Sequence, residues 1–240
     1  MIQRFKAVYR LQGFFPSWLG IFVNPFYFAR AGLRDAIVQF APLLSGRLLD
    51  VGCGSIPYRS LFNVDDYVGM DIDSEASRKR GMANCLYDGG LFPYTDASYD
   101  AVFCSQVLEH VFNPDEFLGE IARVLKPGGN LLLTVPFVWD EHEQPFDYAR
   151  YSTFGLYSLL EKKGFKILHH KKLGSDASVL FQLANAYLFK ITRGLPGKIN
   201  FLFTITVMAG INISGLLARR LLPANEDLFL DHVILAKKVL

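Results

Sequence analysis

Apolar positions in the middle of the chain fall into short runs separated by turn residues and by stretches of helical period. Arg47–Val51 (RLLDV) reads as a short strand that ends in the turn Gly52-Cys53-Gly54. Tyr67–Ile72 (YVGMDI) and Tyr99–Cys104 (YDAVFC) read as two more, the second followed by a helix opening at Gln106-Val107-Leu108. Asn113-Pro114-Asp115 starts a further helix, because proline at the first turn gives up an N–H that has no partner there. In that helix Phe117, Ile121, Val124 and Leu125 share one face, and the breaker cluster Lys126-Pro127-Gly128-Gly129 ends it. Asn130–Val135 (NLLLTV) is almost wholly apolar, as a strand buried on both faces requires. A helix over 152–163 ends at Gly164, a strand follows over 165–169, and Leu230–Lys238 reads as the last strand. Strands alternating with helices predict a doubly wound α/β domain that binds its ligand across the carboxyl ends of the strands.

Two apolar regions lie outside this alternation. Residues 11–29 carry no charge, yet Pro16, Pro25, Gly13, Gly20 and Asn24 interrupt them as a spanning helix. Arg4, Lys6 and Arg10 precede this run, the order found in a signal peptide, but its prolines and aromatics better suit an interfacial or folded segment. Between Lys198 and Arg219 lies a second charge-free stretch, long enough to cross a bilayer. Its Asn200, Thr204, Thr206, Asn212 and Ser214 fall on all faces, and Ser178–Phe189 upstream is a shorter apolar helix. If Leu230–Lys238 belongs to the main sheet, one crossing is topologically excluded. An in-plane helix, a re-entrant hairpin or a pair of helices over an active site then remain.

These regions explain a mean hydropathy of +0.21, which is high for a soluble enzyme. A formal charge of +2 from 25 basic and 23 acidic residues argues against a nucleic-acid-coating protein. Three cysteines, Cys53, Cys85 and Cys104, have no metal-ligand spacing, so neither a disulfide scaffold nor a metal site is expected, and the setting is cytoplasmic.

The turns carry the chemistry. Gly52 and Gly54 allow a ligand to approach the backbone closely. A dinucleotide fingerprint would place a third glycine where Pro57 stands, and Pro57 also removes an N–H, so a cofactor without a pyrophosphate fits better. Asp71 ends the second strand close to twenty residues beyond the glycine turn, where a carboxylate can accept from both ribose hydroxyls. Asp73 competes for that role.

Together, LLDVGCGS, YVGMDID, DGGLFPYTDASYDAVFCSQVLEHV and EIARVLKPGGNLLLTVP resemble the class I S-adenosylmethionine-dependent methyltransferases, and in particular the group that includes ubiquinone and menaquinone methylation enzymes. The resemblance runs from about Leu48 to Phe165. It implies a Rossmann-like, mostly parallel seven-stranded sheet with helices on both faces and the last strand antiparallel at the sheet edge. It divides the chain into an apolar N-terminal helical segment (1–45), a cofactor-binding core (46–173), an apolar helical insertion (174–229) and a final strand (230–240), all within one domain. S-adenosyl-L-methionine is the implied cofactor. Asp50, Gly52, Cys53 and Gly54 would wrap its methionine part, and Asp71 would hold the ribose with Ile72 beside the adenine. Asp88 and Gly89, before Phe92-Pro93-Tyr94, would meet the adenine edge, and Ser105 would lie near the sulfonium. Ile56 stands where the family has a further glycine, a departure that could reshape the methionine pocket.

The stretch from Pro136 to Tyr151 follows the carboxyl end of a central strand and should face the reactive end of the cofactor. His142 is its candidate base, with Asp147 or Glu141 to orient it. Arg150 could take an anionic acceptor unless it pairs with Asp147, and Tyr151 completes the catalytic set unless it packs under the loop. Glu109-His110 reads mainly as a structural, helix-capping pair. Methyl transfer to a hydroxyl of an amphipathic acceptor is therefore expected, with a lipid-linked saccharide or quinone-like ring fitting the apolar flanks. Peripheral contact at the inner face of the membrane goes with that reading. A nicotinamide-dependent oxidoreductase and a non-catalytic membrane-associated scaffold are the rival readings.

Overall fold

The computed structural model describes residues 9–239, so Arg4 and Lys6 lie outside the described residues. Two compact units are present. Among the described residues, a helical unit takes in 9–35, 138–140 and 172–231, and a sheet unit takes in 36–137, 141–171 and 232–239.

The runs of β-branched and leucine residues form the centre of the sheet unit. Strands β1 (Arg47–Val51), β2 (Asp66–Ile72), β3 (Cys85–Tyr87), β4 (Tyr99–Ser105), β5 (Leu125–Pro136), β6 (Phe165–Leu173) and β7 (Asp231–Lys238) lie in the order β3-β2-β1-β4-β5-β7-β6. Strands β3, β2, β1, β4 and β5 pair in parallel, with Asp50 opposite Gly69 and Phe103, and Ser105 opposite Thr134. The carboxyl ends of β1, β2 and β4 therefore open at one end of the sheet. Strand β7 runs against β6: Leu230 N–H donates to Leu173 at one end, and Val239 N–H to Gly164 at the other.

Three expectations need correction here. The last strand is antiparallel but lies between β5 and β6 rather than at the edge, so both its edges are paired, and Val233–Ala236 are buried as well. The residues after β4 form a single 3₁₀ turn, Leu108–His110, in place of a helix. Strand β5 reaches back through Lys126-Pro127-Gly128-Gly129 to Leu125, because pairing with β4 overrides the turn propensity of that cluster.

Three helices flank these strands. Helix α2 (Glu75–Arg80), too short to show a periodic pattern in the sequence, begins at Ser74, whose side chain accepts from Ser77 N–H, and ends at left-handed Gly81 with three basic residues in its last turn. Helix α3 (Pro114–Val124) buries Phe117, Leu118, Ile121 and Val124 against the sheet core. Helix α4 (Thr153–Lys162) is capped by Ser152 and buries Leu156 and Leu160.

The helical unit is built differently. It contains the start of α1 (Tyr27–Phe40), then α5 (Ser178–Thr192), and α6 (Gly197–Phe203), which continues through a π-turn at Thr204–Met208 into α7 (Ala209–Leu221). Its interior is held by amides. Gln182 accepts from the Phe28 and Ala29 N–H groups at 3.0 and 3.2 Å, satisfying two orphan donors at the start of α1, and donates to the Pro25 carbonyl. Asn185 donates to Asn212 at 2.9 Å, and Asn212 donates to the carbonyls of Ile21 and Asn24. Gln182, Asn185 and Asn212 are fully or almost fully buried, whereas Trp18, Tyr187, Leu202 and Leu217 are each more than half exposed. A buried amide network thus accompanies an apolar cluster of Phe28, Ala29, Val179 and Leu230, and several large apolar side chains stand on the surface.

Candidate active site

The turn after β1 is shaped by contacts that leave no room for other residues. Gly52 has φ +72°, and a Cβ there would come within 2.3 Å of Val107 Cγ2, so glycine is demanded twice over. At Gly54, φ +54°, an added Cβ would meet only a backbone oxygen at 4.0 Å, which leaves space for a ligand against the chain. Ile56 also adopts a left-handed conformation, φ 47°. The backbone thus keeps the path a glycine would take, at a cost of about 1–2 kcal/mol for a non-glycine residue. Cys53 packs its sulfur towards Gly69, and burial pushes its thiol up to about 12, so it lines the turn as a neutral side chain.

Two acids stand at the same end of the sheet. Asp50 is buried and accepts a very short hydrogen bond from the Tyr67 hydroxyl. Burial raises its carboxyl to about 7, with Tyr67 pulling down and Asp71 pushing up. Asp71 is buried too, and accepts from Ile72 N–H at 2.9 Å, from Ser77 Oγ at 3.1 Å and from Arg80 at 3.1 Å. Asp73, its competitor in sequence, is locked in a two-pronged pair with Arg78 at the surface. Ile72 lies beside Gly89, where a Cβ would be 3.3 Å from its Cδ1, and Asp88 turns back to accept from Gly90 N–H. Ser105 shares a 2.8 Å hydrogen bond with Thr134, and Gln106 follows it at φ 57°.

The segment Phe92-Pro93-Tyr94 is anchored from α3. Glu120 accepts from Phe92 N–H at 2.7 Å, while Arg123 donates to the carbonyls of Phe92 and Tyr94 and pairs with Glu120 and Asp96. Nothing in the local pattern of EIARVL marks Arg123 for this, since its partners lie some thirty residues earlier.

On the acceptor side, the loop after β5 is clipped to the turn after β4. Tyr148 and Ala149 N–H both donate to the Glu109 carbonyl, at 2.8 and 3.2 Å, and the Tyr151 hydroxyl donates to the Leu108 carbonyl. Arg150 spends its fork on Asp147, at 2.6 and 2.8 Å, and so is not presented to an anionic acceptor. Burial opposes ionisation of Asp147, but Arg150 and the backbone N–H of His142 overcome it and hold the carboxyl at about 2. That carboxylate lies 3.3 Å from His142 Nδ1. His142 and His110 meet edge to face, with ring centroids 4.8 Å apart, and burial keeps the His110 imidazole below its usual range. The loop thus brings His142 and Asp147 together, buries Tyr151 and commits Arg150. Glu141 stays outside this group, bonded to Gln144. Sequence reasoning missed that Glu109 and His110 converge with His142, because the two loops that carry them are distant in the chain.

A central parallel sheet, a glycine turn after its first strand and acids at the ends of β1 and β2 define a Rossmann-like cofactor-binding protein. Residues 49–133 match the family described as "Methyltransferase domain". A ubiquinone/menaquinone biosynthesis C-methyltransferase of Ruegeria is 28% identical over 185 residues, covering 70% of this chain and 68% of the relative. The 27-O-demethylrifamycin SV methyltransferase of Amycolatopsis mediterranei is 32% identical over 120 residues, covering 44% of each. In fold, an S-adenosylmethionine-dependent methyltransferase from Mesorhizobium loti superposes with a TM-score of 0.56 at 15% identity, over 88% of this chain and 99% of that one. The chain spans about half the length of several of the curated relatives it matches. Over residues 49–133 its core is thus similar to S-adenosylmethionine-dependent methyltransferases in sequence, and the sheet unit shares their fold.

The residues present suit that family's cofactor. The open space at Gly54 admits a ligand against the backbone, and buried Asp50 and Asp71 offer acceptors to a cationic amine and to ribose hydroxyls.

Proposed function

We propose that the protein transfers a methyl group from S-adenosylmethionine to a hydroxyl of a small amphipathic acceptor, in contact with a lipid surface. One arrangement carries the reading: a glycine turn with room for a ligand opens between two buried acids at the carboxyl end of a parallel sheet. Gly52, Cys53 and Gly54 would line the methionine part, Asp50 its charged end, Asp71 the ribose, Ile72 with Asp88 and Gly89 the adenine, and Ser105 the neighbourhood of the sulfur. The cofactor supplies a methyl group already activated on a sulfonium. The chain has to hold the acceptor in line and keep water away.

For a hydroxyl acceptor a proton must also leave, and His142 is the group for it. Asp147 and Arg150 hold the ring from its Nδ1 side, at 3.3 and 3.5 Å, and Nε2 is the nitrogen we assign to take the proton. Arg150 serves as a positioning residue through Asp147, and Tyr151 through its bond to Leu108.

The lipid part rests on the helical unit, which buries several amides and exposes Trp18, Tyr187, Ile199, Leu202 and Leu217. The helix Gly197–Leu221 is 25 residues long, and only 28% of its most apolar window is buried. Strands β6 and β7, on either side of the insertion in sequence, pair in one sheet, so a single crossing is ruled out. An in-plane location at the inner membrane face, with a lipid-linked saccharide or a quinone-like ring as acceptor, suits these features.

Calorimetric titration with S-adenosylmethionine, its demethylated product and NADH tests the core of the proposal. Binding of the sulfonium pair and not of NADH is expected. Binding of neither would leave the non-catalytic scaffold as the better reading.

A further inference from the structure

Three potential metal ligands converge where the loop after β5 meets the turn after β4. One ligand atom each from Glu109, His110 and His142 lie within 4.8 Å of one another, and His110 Nε2 is 3.8 Å from Glu109 Oε1. Ligand atoms around a tetrahedral zinc ion at ordinary bond lengths are about 3.3 Å apart.

The outer faces of both imidazoles are arranged as metal-bound histidines require. His110 Nδ1 lies 2.8 Å from the Phe146 carbonyl, so the proton sits on Nδ1 and the lone pair on Nε2, the atom nearest Glu109. His142 Nδ1 lies 3.3 Å from the Asp147 carboxylate and 3.5 Å from Arg150 Nη2, and Arg150 pairs with that carboxylate, so the ring is held from its Nδ1 side. A backbone carbonyl on one histidine and a carboxylate on the other are the outer partners that set tautomer and ring orientation in metal sites. The third ligand, Glu109, has a fully buried side chain, and two loop N–H groups clamp its carbonyl. The scaffold that aims the cluster is thus rigid.

We propose that Glu109, His110 and His142 form a binding site for one divalent transition-metal ion of the zinc class, with a coordination position left for an exogenous oxygen. Two imidazoles and one carboxylate favour such an ion over magnesium or calcium, which take oxygen donors only. Three protein ligands are the number found where a zinc ion keeps a position for water or substrate. Resting on the methyl-transfer reading above, the ion would serve a hydroxyl-bearing acceptor. Coordination weakens the O–H bond, the proton leaves to solvent, and the electron pair stays on the oxygen as the nucleophile. His142 then acts as a ligand, and its role as a base is confined to the metal-free protein.

The test is titration of the chelator-treated full chain with Co²⁺, read by visible absorption and by equilibrium dialysis. One ion per chain is expected, with the ligand-field bands of a nitrogen- and oxygen-ligated ion and no thiolate charge-transfer band from Cys53, Cys85 or Cys104. His142→Ala, on a surface loop, is expected to weaken binding at least 100-fold, and Glu109→Gln likewise. His142→Ala should keep the far-ultraviolet dichroism of the parent, which separates loss of a ligand from loss of fold. No binding by the parent chain, binding unchanged in His142→Ala, or a thiolate band would overturn the proposal. Titration of the same samples with S-adenosylmethionine tells its failure apart from that of the functional reading. A parent that binds the cofactor but no metal rejects the metal site alone, and a parent that binds metal but no cofactor rejects the methyl-transfer reading alone.

Discussion

Asp50 concentrates the electrostatics of the site in a single residue. Its carboxyl is buried beside a second acid, and burial raises it to about 7, whereas an unfolded chain would ionise it near pH 4. Between those values the folded protein keeps a proton that the unfolded chain has released. Stability therefore falls as pH rises from about 4 to 7, by on the order of 1.4 kcal/mol for each pH step of one, and levels off above. Asp50→Asn keeps an acceptor for Tyr67 and removes the charge, so thermal melts of the variant should lose this slope and show higher stability at pH 8. The cofactor is cationic at its amine and sulfur, and its binding should draw the carboxyl into the ionised form. Proton release on binding is thus expected below pH 7, seen as a buffer-dependent calorimetric heat, and it should vanish in Asp50→Asn together with much of the affinity. A buffer-independent heat at pH 6 would show that Asp50 does not face the cofactor's charge.

At the scale of elements, short-range pattern and long-range contact contribute differently. The central strands, the glycine turn and the acids at strand ends were legible because each is local. LLDVGCGS and YVGMDID carry both the element and its chemistry within a few residues. The acceptor side was legible only in part, since the value of His142 depends on a turn that brings Glu109 and His110 to it from another strand end. Arg150 is a different case, since its pairing with Asp147, three residues away, is local and was one of the two arrangements open in the sequence. Helix α3 is a further case. Its apolar face was plain, but its polar face holds Arg123, which grips Phe92 and Tyr94 through their carbonyls. Arg123→Lys keeps the charge but replaces the planar fork with a single ammonium. It is expected to loosen residues 92–94, lowering cofactor affinity several-fold with a loss of stability of about 1–2 kcal/mol, since two or more charge-assisted bonds go. Calorimetry and denaturant titration read the two effects. Unchanged affinity would show that this segment does not bear on the cofactor.

Over the whole molecule, the two units differ in which polar groups they bury. In the sheet unit Leu48, Leu49, Val102, Leu131 and Leu133 are buried, and the acids Asp50, Asp71 and Glu109 are buried at the end that carries the site. In the helical unit the amides of Gln12, Asn24, Gln182, Asn185 and Asn212 are inside, where each satisfies backbone groups at the ends or crossings of helices. Of the Asn and Thr scattered along residues 200–218, Asn212 belongs to this network, whereas Thr204 and Thr206 donate to carbonyls four residues back in their own helix. Exposed Trp18, Phe22, Ile199, Leu202 and Leu217 would each cost free energy in water, and together they exceed the isolated apolar side chains normal on a soluble surface. Lipid contact relieves that cost without touching the amide network. Flotation with vesicles containing anionic lipid should therefore carry the protein to the lipid fraction without detergent. The triple variant Ile199→Ser, Leu202→Ser, Leu217→Ser, altering exposed positions only, should stay folded, become more soluble and bind vesicles at least tenfold more weakly. At about 25 cal/mol per Å² of apolar surface withdrawn from lipid, the three side chains are worth several kcal/mol, so a smaller loss would place the contact on another face. Replacing Asn212 by leucine should have the opposite effect. It removes donors from two buried carbonyls and should destabilise the helical unit by about 2–4 kcal/mol while leaving its outer face, and vesicle binding by the folded fraction, intact.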